Sequence, residues 1–190
     1  MTEEHPTPPH STPALEHIKS LASYYDAWEF SKAPDNLTHQ DQLIRRIAAL
    51  IADHHIPLAH IATEAIAAAA TPAHHPCTCN GLIAALGQAA HSNCDRPTAE
   101  LLVAAIPHIT FPHTLLAVLD ALETWLNLKP PFCSADWRKI ESTVQASNLA
   151  GHSQVAEKLA ALKDTSVVQD SIWTDRLTAE AKIQNPRSIE

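Results

Sequence analysis

Glycine is nearly absent from this chain, with Gly81, Gly87 and Gly151 the three occurrences in 190 residues. Strand-rich sandwiches and barrels turn tightly many times, and those turns draw on the positive-φ region that glycine enters without steric cost. A chain so poor in glycine is a bad match for them. The same scarcity removes the phosphate-cradling loops, because neither GxGxxG nor GxxxxGK[ST] can be written anywhere in it. What recurs instead is apolar residues at a 3.6-residue period, in segments that prolines open or close. The pattern predicts an all-α fold, a single helical bundle or a short helical-hairpin stack of about six to eight helices.

Residues 1–12 read as a disordered Pro/His-rich tail, 13–163 as one helical domain, and 164–190 as a C-terminal helix or partly disordered tail. The first helix is expected from near Thr12, with Pro13 in its first turn, to about Phe30, with Leu15, Ile18, Leu21, Ala22, Tyr25 and Trp28 on one face. Thr38 caps a second helix that ends near His54-His55, and Pro57 restarts the chain as Leu58 to Ala70. Leu82 to Ala90 follows, with Gly87 as an interruption, and Asp95 is placed to cap Pro97 to Ile106. Pro112 opens His113 to Leu128, whose Leu115, Leu116, Leu119, Leu122 and Leu126 form the strongest apolar stripe. This helix is expected to be the central core element. Ser134 opens Ala135 to Ser147, and Ser153 to Lys163 follows Gly151. Ile56-Pro57 and Phe111-Pro112 echo one another, as two copies of a helical hairpin would, or as antiparallel helices restarting at proline.

One segment concentrates soft metal ligands. His74-His75-Pro76-Cys77-Thr78-Cys79 is followed by His91-Ser92-Asn93-Cys94, so that residues 74–94 hold three of the four cysteines. Cys77, Cys79, His91 and Cys94 form a C-x-C-x11-H-x2-C arrangement whose Cys₃His set would satisfy a tetrahedral structural zinc, with His74 or His75 as alternate ligands. Geometry sets a condition. If Asn80 to His91 were one unbroken helix its ends would lie about 16–18 Å apart, too far for a common ion, so the site needs a loop early in that interval. Ordinary reduced thiols remain open, as does a disulfide joining Cys77 or Cys79 to Cys94 or Cys133.

The formal charge of −8 makes duplex nucleic acid and anionic membrane poor partners. Arg45 to Ala70 has the outline of a helix-turn-helix. Its would-be reading face, Leu58, Ala59, His60, Thr63 and Glu64, has no Arg, Lys, Asn or Gln to contact base edges. The apolar stretch Ile56 to Ala73 is broken by His60, Thr63, Glu64, Thr71 and Pro72, so no membrane span is expected. The N-terminal residues lack the apolar core of an export signal, and the cytoplasm is the expected compartment. Signatures of several chemistries are missing: HExxH, GxSxG, and the Glu-x-x-His of di-iron bundles. His60 and Glu64 share a helix face at i, i+4, which reads as a solvated surface pair.

These features predict a non-catalytic helical module that binds another protein, an adaptor or inhibitor whose acidic surface suits a basic partner. A zinc- or redox-responsive regulator built on the Cys/His segment is the alternative, and a metal-dependent enzyme a third.

Overall fold

The computed structural model describes residues 13–30, 36–70, 79–92, 94–128 and 134–164, and among them every regular element is helical. The helices are α1 (Pro13–Phe30), α2 (Asn36–Asp53), α3 (Leu58–Ala70), α4 (Cys79–Ala90), α5 (Arg96–Ala105), α6 (Pro112–Leu128) and α7 (Ser134–Gln145). An eighth, α8, covers 153–164, and a short 3-10 turn, Ile106–His108, joins α5 to the approach to α6. None of the described helices is long and apolar enough to cross a membrane.

The boundaries have local causes. Asp95 caps α5 as expected, its carboxylate accepting from the Thr98 amide at 2.9 Å, with Pro97 in the first turn where a missing N–H costs nothing. At the end of α2 the Ile56 amide donates to the Ile51 carbonyl and the His55 amide to the Ala52 carbonyl, both at 3.0 Å. This is a Schellman closure. His55 takes the left-handed position, φ 51°, that glycine usually fills. Pro57 then starts the next helix.

α4 is the central helix. It packs against α1, α2, α3, α5 and α6, and ten of its twelve residues are buried. That overturns two expectations. Gly87 does not interrupt the helix, and the centre of the core is α4 rather than the helix of residues 113–128. Small residues explain both. A Cβ on Gly81 would lie 2.5 Å from the Ala22 carbonyl oxygen of α1, and one on Gly87 would lie 3.0 Å from the Ala117 carbonyl oxygen of α6. These glycines buy close backbone approach on two sides of one helix, so a helix without large aromatics can be surrounded. The leucine stripe of α6 is buried as read, with Leu115, Leu119, Leu122 and Leu126 in the main cluster beside Trp125. Its other edge, at Asp120, faces water.

Buried polar groups fix the start of α4. The Asp26 carboxylate of α1, 1% exposed, accepts from the Gly81 amide at 2.6 Å and the Asn80 amide at 3.3 Å. A neighbouring helix thus caps α4 with a charge that its dipole favours. The Asn80 side chain takes up the Thr110 and Phe111 amides at 3.0 and 3.3 Å and donates to the Thr110 hydroxyl at 2.9 Å. Tyr25 and Thr114 share a buried hydroxyl contact at 3.1 Å. Together these tie α1, α4 and the entry to α6 at one end of the molecule.

Candidate functional site

The described part of the Cys/His segment divides between the two ends of α4. Cys79 is the first residue of that helix, fully buried, its thiol donating to the His108 carbonyl at 3.7 Å. Cys94 is also buried and lies beyond the helix's other end, its thiol directed to the Asp95 carbonyl at 3.8 Å. His91 is exposed in the turn between α4 and α5, with Nδ1 3.5 Å from the Thr124 hydroxyl. With α4 unbroken, Cys79 stands about 18 Å along the axis from His91, so these two and Cys94 do not meet at one tetrahedral ion. Among the described residues no three Cys, His, Asp or Glu side chains are grouped to hold a metal. Cys77, His74, His75 and Cys133 lie outside the described residues.

What the fold does bring together is a cleft of about 470 Å³ over the C-terminal half of α4. This is within the usual range for ligand-binding recesses, roughly 300–1,000 Å³. Gln40, Asp41, Ile44 and Arg45 of α2 form one wall, and His113, Leu116, Ala117 and Asp120 of α6 the other. Gly87, Gln88 and His91 supply the floor and one end, and Tyr25 of α1 closes the cleft at depth. The wall positions follow from helical periodicity. Gln40, Asp41, Ile44 and Arg45 occupy successive turns of one α2 face, as His113, Leu116, Ala117 and Asp120 do on α6. Each wall therefore presents apolar groups below and ionisable groups at the rim.

Electrostatically the α6 rim is anchored from outside. Lys158 of α8 contacts Asp120 at 2.6 Å and Glu123 at 2.7 Å. Burial works against its ammonium, but the two carboxylates outweigh this and hold its pKa above the ordinary 10.5. A second, smaller recess of about 310 Å³ lies at the α2–α3 elbow, where His54, His55 and His60 meet Ala14 and Leu15. Beside it the expected His60–Glu64 pair is present at 3.5 Å, and Lys19 joins Glu64 at 2.5 Å. That hydrogen bond to Glu64 raises the Lys19 pKa against a smaller opposing effect of burial.

Of the described residues singled out from sequence as ligands, Cys79, His91 and Cys94, only His91 borders the main cleft. Gln40, Asp41, Arg45, Gln88 and Asp120 carried no motif that could mark them. They converge through the packing of α2 and α6 on α4. Comparison with protein-family models, with curated proteins and with solved structures finds no match for the chain.

Proposed function

We propose that this protein is a non-catalytic helical module that binds another, basic protein through the cleft between α2 and α6. The observation that carries the reading is the cleft itself, where polar and ionisable groups from three helices stand beside the apolar wall residues Ile44, Leu116 and Ala117. Such surfaces combine desolvated apolar contact with a polar rim, the composition of a protein-docking site. The described thiols support a non-catalytic role, since Cys79 and Cys94 are buried and neither lines the cleft. The net charge of −8 favours encounter with a positively charged partner.

The test uses the full chain and two cleft-filling variants, Gln88→Trp and Ala117→Trp, as baits under identical conditions. Gln88 is exposed and lines the cleft, so its replacement need not disturb the core. The expected result is a stoichiometric basic partner retained by the parent and lost from both variants, each melting like the parent. A partner held equally by all three would remove the cleft from the reading, and no stoichiometric partner would remove the reading.

A further inference from the structure

The two rims of the cleft do not balance in charge. Asp41 and Asp120 face it from α2 and α6, against Arg45, the one permanent cation among the described lining residues. Lys158 does not cancel the α6 wall, because its one charge is divided between Asp120 and Glu123. Beneath them the floor is Gly87 and Gln88, near the end of α4, with His91 just past that end. Between rim and floor lie the apolar side chains of Ile44, Leu116 and Ala117.

We infer that the cleft receives a lysine or arginine side chain of the partner protein, its methylene stem on Leu116 and Ala117 and its charged head between Asp41 and Asp120. This rests on the docking role proposed above and adds the group that enters. Lysine and arginine suit a recess that is apolar below and acidic at the rim, because their stems pack on apolar surface while the head keeps to polar groups. The opposing charge makes the inference specific. Arg45, on the same α2 face as Asp41, repels an entering cation and limits how tightly it is held.

The experiment is an NMR titration of the isotope-labelled full chain with amide-capped lysine, amide-capped arginine and amide-capped glutamate. The two cationic probes are expected to shift amides of residues 40–45, 87–91 and 113–120 saturably, with little response to the glutamate probe. Asp41→Asn and Asp120→Asn should each weaken the cationic probes by roughly twofold to fivefold, the range of exposed ion pairs. Arg45→Met should tighten them by a similar factor, a gain that damage to the fold would not produce. Equal or stronger binding of the glutamate probe, unmoved cleft amides, or an Arg45→Met variant that binds no better would overturn the inference. The docking role can fail separately. If Gln88→Trp keeps the partner while the cationic probes still bind, the docking role is lost and the cation pocket stands. If the cationic probes do not bind while Gln88→Trp loses the partner, the pocket is lost and the docking role stands.

Discussion

Gly81→Ala sets two effects of opposite sign against each other, and the structure decides which wins. Inside a helix alanine is favoured over glycine by about 1 kcal/mol, so propensity alone predicts a more stable protein. The new Cβ, however, would sit 2.5 Å from the Ala22 carbonyl oxygen, 2.8 Å from its Cα and 2.9 Å from its Cβ. Two of those atoms are backbone, so no side-chain rotation relieves the overlap and α1 must move away from α4. Overpacking of this kind costs about 1–3 kcal/mol. The same movement stretches the 2.6 Å bond from the Gly81 amide to the buried Asp26 carboxylate, and hydrogen bonds to charged groups contribute about 1.5–3 kcal/mol. The net expectation is destabilisation by about 2–4 kcal/mol. For a chain of this size that is a fall in Tm of roughly 4–15 °C. The other glycines calibrate the effect. Gly87→Ala meets backbone of Ala117 and Val118 at 3.0–3.2 Å and should lose less, because propensity offsets part of a milder crowding. Gly151→Ala meets nothing within 4 Å and does not lie at positive φ, so it should be neutral or gain about 0.4–1 kcal/mol. Thermal and urea unfolding of the three variants would give the order. If Gly81→Ala melts at or above the parent, the close α1–α4 approach is wrong.

Asp26→Ala leaves the Asn80 and Gly81 amides without their capping carboxylate in a buried site, and should cost about 1–3 kcal/mol in denaturant melts. His55→Gly relieves a left-handed φ of 51° and should stabilise by roughly 0.5–1 kcal/mol, read as a higher midpoint in thermal melts. The raised pKa values of Lys158 and Lys19 mean that their clusters stabilise the fold fully below pH 10.5 and lose that contribution as pH rises through the higher folded values. Melting temperature should therefore drop above that pH, and Lys158→Met should flatten the drop. Thiol titration should find Cys79 and Cys94 unreactive in the native protein and accessible after unfolding. Rapid labelling of Cys94 in the folded state would contradict its burial.

Helix existence was legible because periodicity and proline punctuation are local signals. α1 begins at Pro13, within a residue of the Thr12 start read from the sequence, and α3 spans Leu58–Ala70 and α6 opens at Pro112 where the sequence places them. Asp95 caps α5 for the same reason. Centrality was not legible. A stripe of leucines announces a buried face, whereas Cys79–Ala90 announces little, since its apolar residues wrap all sides and Gly87 reads as a break. Only the packed neighbours show that Gly81 and Gly87 are contact points. The ligand cluster misleads through the same helix, because short sequence distance between Cys79 and His91 becomes a helix length in space. The cleft was invisible for the converse reason, as Asp41, His91 and Asp120 are distant in sequence and meet through α4.

Gly87 is where packing and site coincide. It borders the cleft floor, and its missing side chain faces Ala117, which belongs to the opposite wall. The depth of the cleft and the seating of α6 on α4 therefore share one cause, the absence of atoms at this position. A larger residue at 87 would both raise the floor and press α6 outward, carrying His113 and Asp120 with it. Asp41, exposed and outside the Lys158 cluster, contributes little to stability, so it can carry binding chemistry while the interior carries the fold. Gly87 is the exception. Substitution there should alter stability and cationic-probe affinity together, whereas Asp41→Asn should alter affinity alone.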